Sequence, residues 1–121
     1  MSPRLRRASA RLPLKASALR SSAPIFAALG DETRLRIIAV LCAGGALSIT
    51  QLTSGTDITR QAVTKHLHVL AHAGMVHHVK VGRERLWEFE PTPLAEARRS
   101  LDVIGQQWDY ALRKLKMTVE D

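Results

Sequence analysis

Between Thr59 and Ala73 the chain sets out Gln61, Thr64, Lys65, His68 and His72, with Arg60 beside them and no acidic residue from Arg60 to Ala73. Wound as a helix at 100° per residue, these side chains share one side, while Val63, Leu67, Leu70 and Gly74 share the other. The polar side offers amide, hydroxyl, ammonium and imidazole donors, a set suited to phosphate oxygens and to base edges. A face that merely meets solvent usually mixes both signs of charge; this one carries no acid. A second basic group follows at Lys80, Arg83 and Arg85.

Other chemistry is poorly supplied. His68 and His72 stand at i, i+4, a spacing that can chelate a metal, and His77 and His78 lie just beyond. No Cys, Asp or Glu between residues 58 and 83 completes a ligand set. No nucleophile stands near the histidines and no Gly-rich phosphate loop occurs, so no catalytic residue, metal site or cofactor is expected. His66 falls about 60° from the apolar centre of its helix, which suits a partly buried, hydrogen-bonded packing role.

The donors need a scaffold that turns them outward. Ile25, Phe26 and Leu29 form a short apolar stripe closed by Gly30, the pattern of a helix with a glycine stop. Asp31 then caps a segment from Glu32 to Cys42 that is apolar around much of its circumference and belongs in the middle of the domain, with Cys42 as a small buried hydrophobe. Ser48-Ile-Thr-Gln51 has capping-box spacing and starts a helix of about seven residues that stops near Gly55. Thr59 caps the helix 59–73, and Gly74 ends it. Short helix, tight turn, polar-faced helix is the helix-turn-helix order.

Residues 76–90 follow as a β-hairpin: Val76, Val79 and Val81 are β-branched, Gly82-Arg83-Glu84 turns, and the return strand alternates polar and apolar. A basic tip placed directly after a helix-turn-helix makes a wing that can reach the DNA backbone or minor groove. Pro91 and Pro93 end the hairpin and bracket Thr92, a cap for the last helix. From there Leu94, Ala97, Leu101, Ile104, Trp108, Leu112, Leu115 and Val119 recur every three or four residues. That seam exceeds what so small a domain can cover, so Ile25, Phe26, Leu29, Leu101, Ile104, Trp108, Leu112 and Leu115 are expected at a homodimer interface. The fold class is mainly α with a small β-hairpin (α+β): a winged helix-turn-helix with a long C-terminal dimerisation helix.

Composition agrees. The 121 residues allow one small domain, read as 21–121, after a basic and irregular N-terminal tail at 1–20. Of the net charge of +7, six positive charges sit in that tail at Arg4, Arg6, Arg7, Arg11, Lys15 and Arg20, with no acid among them. The tail thus suits a phosphate-seeking arm. Aromatic content of 4% is too low for a module that stacks single-stranded bases. One cysteine excludes an intramolecular disulfide and a Cys-rich zinc module. No apolar run reaches membrane-spanning length, so a cytoplasmic protein with no membrane partner is expected.

Phe26-Ala-Ala-Leu-Gly-Asp-Glu-Thr-Arg-Leu-Arg-Ile-Ile, Thr59-Arg-Gln-Ala-Val-Thr-Lys-His-Leu-His-Val-Leu, Ala73-Gly-Met-Val and Val81-Gly-Arg-Glu together resemble the ArsR-type winged-helix repressors over roughly residues 22–119. The resemblance implies a homodimeric bacterial transcription factor, usually a repressor released from its operator by an effector. Pro91-Thr-Pro-Leu and Trp108-Asp-Tyr-Ala-Leu look like the metal-independent branch of that family. The family's metal sensors carry Cys-x-Cys before the recognition helix, where this chain reads Ser48-Ile-Thr-Gln-Leu-Thr. Others hold zinc on the terminal helix through His and carboxylates, and residues 91–121 contain no His. An unidentified small-molecule effector remains the open partner. On this reading Gln61, Thr64, Lys65 and His68 enter the major groove of double-stranded DNA. Thr59, Arg60, Lys80, Arg83 and Arg85 meet the backbone or minor groove.

Overall fold

Three side-chain caps divide the first half of the chain. Asp31 Oδ1 accepts from the Arg34 amide at 3.0 Å. Ser48 Oγ accepts from the Gln51 amide at 3.2 Å, while Gln51 Oε1 accepts from the Ser48 amide at 2.9 Å. Thr59 Oγ1 accepts from the Ala62 amide at 3.2 Å. Each satisfies an amide that the helix itself leaves unpaired.

The computed structural model, which describes residues 14–120, accordingly contains α1 (Ala16–Leu29), α2 (Glu32–Gly44), α3 (Ile49–Thr56), α4 (Arg60–His72), β1 (Val76–Val81), β2 (Glu84–Phe89) and α5 (Pro91–Glu120). Between α3 and α4, Asp57 takes a left-handed conformation (φ 57°, ψ 38°) that turns the chain within three residues. Thr59 can then cap α4 while α4 crosses against α3.

The core is a single cluster. Ile37 and Leu41 of α2, Leu52 of α3, and Val63, Leu67 and Leu70 of α4 are fully buried with Met75 and Ala97; Val76 and Trp87 close the hairpin side. The hairpin pairs antiparallel from Val76↔Phe89 to Val81↔Glu84, leaving Gly82 and Arg83 as a two-residue turn. Gly82 has φ 63° and Arg83 does not share the positive φ, the pattern of a type II′ turn with glycine at its first central position. Leu47 and Trp87 exchange two backbone hydrogen bonds, at 3.0 and 2.7 Å, and so tie β2 to the chain entering α3.

Several expectations need correction. The first helix begins at Ala16, inside the segment assigned to the tail, because Ala16, Leu19 and their neighbours simply extend its helical pattern. Residues 1–13 lie outside the described residues. Ile25 is 4% exposed and belongs to the internal core rather than to a surface that could meet a partner. Phe26 and Leu29 are half-buried against the same core. Cys42 is exposed, and so is Leu35, because α2 buries only Ile37, Ile38 and Leu41 against its neighbours. The last helix begins at Pro91 with Thr92 in its first turn. Pro91, whose fixed φ suits a first helical position, starts the helix ahead of Thr92, so Thr92 lies inside it and cannot cap it; its hydroxyl donates to the Glu90 carboxylate at 3.3 Å.

Two consequences can be measured. A Cβ on Gly82 would touch nothing within 4 Å, so Gly82→Ala strains the backbone alone. It should cost the wing about 1 kcal/mol, seen as roughly fivefold faster hydrogen exchange of the Val81 and Glu84 amides. Unchanged exchange there would show an unstrained turn. The Arg34 amide, helped by the Arg34 charge and opposed by partial desolvation, holds the Asp31 carboxyl below its ordinary 3.8. A carboxyl with a depressed folded value stabilises the fold above 3.8 and loses that contribution as pH falls through the folded value. Asp31→Asn, which can still cap, should therefore show a smaller drop in urea midpoint between pH 6 and pH 3 than the wild type.

Candidate nucleic-acid interface

Burial of Val63, Leu67 and Leu70 leaves α4 one outward face. Gln61, Lys65, His68 and His72 are exposed on it and Thr64 is half-exposed. Arg60, Gln61, Ala62, Thr64, Lys65 and His68 line a shallow concavity, so the sequence-predicted base-contact residues do meet on one surface. The Thr64 hydroxyl donates to the Arg60 carbonyl at 2.9 Å, which fixes its rotamer and turns its lone pairs and methyl group outward.

Thr59 is committed locally as the cap of α4, leaving its hydroxyl hydrogen available to an acceptor such as a phosphate oxygen. Arg60 reaches sideways: its Nη1 donates to Thr50 Oγ1 at 3.0 Å on the first turn of α3. Ser48, Thr50, Gln51, Arg60, Glu84 and Arg85 line a groove that joins the starts of α3 and α4 to the base of the wing tip. Thr50 is a contact candidate that sequence reading missed. Its signal was there in the capping box, which places Thr50 in the exposed first turn of α3.

On the wing, Lys80 and Arg85 stand directly opposite each other across the ladder, with Arg83 in the turn and all three exposed. Like charges in register destabilise a hairpin. Among the described residues none of Lys65, Lys80, Arg83 and Arg85 joins an ion pair within 4.0 Å. Their charge is thus not tied up in any ion pair of the described residues, and only Glu84 of the groove lining offsets it, so the patch keeps the excess of positive charge that attracts a polyanion.

The histidines divide. His66 is half-buried with Nδ1 3.4 Å from Arg34 Nη1, the hydrogen-bonded packing role expected of it. His68 and His72 face outward. His77 lies 3.4 Å from Glu88 and 3.8 Å from Glu90, and His78 meets the Trp87 ring edge-on at 5.2 Å. Among the described residues no group of three His, Cys, Asp or Glu is gathered closely enough to hold a metal ion. None of the described helices is long and apolar enough to cross a membrane.

The remaining surface feature is α5. Its first half packs on α1, where the buried Ser22 and Ser100 hydroxyls bond at 2.9 Å. From Ile104 to Val119 every residue is exposed. Leu101, Ile104, Trp108, Leu112 and Leu115 are between 44% and 64% exposed, far too much apolar surface to leave in water without cost. Tyr110 and Met117 are also exposed, although they stand off the seam.

Comparison with known proteins agrees with this geometry. Residues 29–79 match a family model described as a helix-turn-helix domain. A helix-turn-helix-type transcriptional regulator of Mycobacterium tuberculosis is 37% identical over 96 residues, covering 79% of this chain and 86% of that protein. An ArsR-like transcriptional regulator from Rhodococcus sp. RHA1 superposes with a TM-score of 0.74 at 36% identity, covering 84% of this chain and 95% of the other. The homodimeric winged helix-turn-helix DNA-binding domain of a Mycobacterium bovis protein shares the fold, with a TM-score of 0.57 at 20% identity over 82% of this chain and 88% of the other. With its capped helix-turn-helix, basic wing and long terminal helix, the chain belongs to the ArsR family of winged-helix transcriptional regulators.

Proposed function

We propose that the protein is a homodimeric transcriptional repressor that binds an inverted-repeat operator through α4 and the wing. The observation that carries this reading is the continuous acid-poor surface running from the outward face of α4, through Arg60 and Thr50, to the wing tip. Gln61, Thr64, Lys65 and His68 read base edges in the major groove. Thr59, Arg60, Lys80, Arg83 and Arg85 hold phosphates, with one wing arginine at the minor groove. Half-sites then lie about one helical turn apart.

The exposed seam of α5 supports two-fold association, and the homodimeric Mycobacterium bovis domain of the same fold supports it further. On this reading the elements of the described residues divide into a DNA-facing surface, a core and a dimer seam. Repression by occupying the operator needs no more than these. Such a protein works in the cytoplasm on the nucleoid, without metal or cofactor. Any effector is an unidentified small molecule that favours one dimer geometry over another. The acid-free cations of residues 1–20 add sequence-independent phosphate attraction.

Two experiments test the reading. With a duplex recovered from genomic fragments retained by the protein, Lys65→Ala or Arg83→Ala should weaken binding on all sequences and lower the salt slope by about one for each phosphate no longer neutralised. Gln61→Ala or Thr64→Ala should instead alter base preference at fixed positions, each costing about 1–3 kcal/mol of discrimination. Full affinity in a Gln61→Ala/Lys65→Ala double variant would refute the docking. Sedimentation should find a dimer, and Trp108→Asp combined with Leu115→Asp should give a folded monomer with at least about tenfold weaker operator binding. A wild-type monomer would remove the dimer.

A further inference from the structure

We propose that Arg34 is a positioning residue that holds recognition helix α4 in register with the α1–α5 pair, and that it does so through a neutral His66. Arg34 sits in the first turn of α2, between the two units it would connect. Its Nε donates to the Ala28 carbonyl at 2.5 Å, in the last turn of α1. Its Nη1 lies 3.4 Å from Nδ1 of His66, midway along α4. Its own amide is held by Asp31 Oδ1, so the α2 turn that carries the side chain is itself pinned.

The chemistry of the two ends restricts the link. The last carbonyls of α1 have no partner within the helix, and Ala28 gains one from Arg34. A guanidinium is a planar fork that can only donate. Its bonds to α1 and α4 therefore keep a fixed mutual angle, which a flexible ammonium could not maintain. Because Arg34 has no acceptor, His66 Nδ1 must present its lone pair, and the imidazole proton must sit on Nε2.

The position of His66 gives the link a consequence. It follows Lys65 directly and precedes His68 by two residues, so a shift of α4 at His66 moves the groove-facing side chains with it. On the other side, α1 packs along the first half of α5, whose second half carries the exposed apolar seam. The path from dimer seam to recognition helix thus runs α5, α1, Arg34, His66, α4. A two-fold DNA-binding dimer needs its recognition helices at a set separation to meet successive major grooves. Arg34 serves that separation without touching DNA. The proposal rests on the reading of α4 as the DNA helix.

The test separates positioning from direct DNA binding. Binding of Arg34→Lys, His66→Leu and His66→Gln is measured over a salt series on a duplex selected from genomic fragments by the wild-type protein. Arg34→Lys keeps the charge but cannot hold both ends, and His66→Leu removes the acceptor. Each should lose about tenfold in affinity, in line with a hydrogen bond to a charged group, while the salt slope and dimer stability stay unchanged. His66→Gln offers a carbonyl oxygen to Arg34 and should recover to within about threefold of wild type. Nitrogen NMR of the wild type should show His66 unprotonated at Nδ1. If Arg34→Lys fails to fold, the His66 pair still decides, because it leaves the Arg34 bonds to Ala28 and Asp31 in place. Affinity within twofold of wild type in Arg34→Lys and His66→Leu, a lowered salt slope, or a protonated Nδ1 would each overturn the link. A wild type that binds no duplex would instead overturn the reading of α4 and take this proposal with it.

Discussion

Everything that faces outward in this protein depends on how α4 faces inward. Val63, Leu67 and Leu70 leave water completely, and only one rotation of the helix buries all three. Burying each such side chain stabilises the fold by about 1.5–3 kcal/mol relative to leaving it exposed, so a rotated helix would lose several kcal/mol. The polar face is aimed because the apolar face has no alternative. Thr59 fixes where the helix starts and Gly74, at φ 79°, lets the chain leave it, so position along the axis is set as firmly as rotation.

The last helix solves a different problem with the same periodicity. Ala97 is fully buried in the domain, Leu94 is packed against the core, and Ser100 is bonded to Ser22. Further along the same seam, Leu101, Ile104, Trp108, Leu112 and Leu115 have nothing of their own chain to cover them. One uninterrupted helix of 30 residues therefore serves as domain element at its start and as an apolar arm at its end. Because the helix is continuous, whatever covers the arm is rigidly linked to the core.

Much of this was legible in the residues. The caps at Asp31, Ser48 and Thr59, the core face of α4, the hairpin itself and the outward donors all follow from local rules of spacing and hydrogen bonding. The turn, however, is the two residues Gly82 and Arg83 rather than three, because Glu84 already pairs with Val81. What was missed depends on which elements meet in space. Cys42 and Leu35 look like core because α2 is apolar nearly all round, yet only one of its sides has neighbours. Ile25 looks like dimer surface because its stripe is short, but the longer α1 turns it inward. Thr50 meets Arg60 and Arg34 meets His66 across different helices, and no spacing along the chain brings either pair together. The groove joining Thr50 to Arg60 and the bracket joining Arg34 to His66 could be found only from the fold.

The wing shows how these layers constrain one another. Lys80 opposite Arg85 weakens the hairpin from within, and a two-stranded hairpin is marginal in water even without such a pair. It persists because its base is fastened elsewhere: Trp87 is buried in the core, and its backbone exchanges two hydrogen bonds with Leu47. Arg85 and Trp87 stand two apart on β2 and so share a face, while Leu86 between them turns to the other. A single strand thus carries both its fastening and its charge. The repulsion between Lys80 and Arg85 is relieved when an anion sits between or beside them, so binding a phosphate there would stabilise the very element that presents the charge.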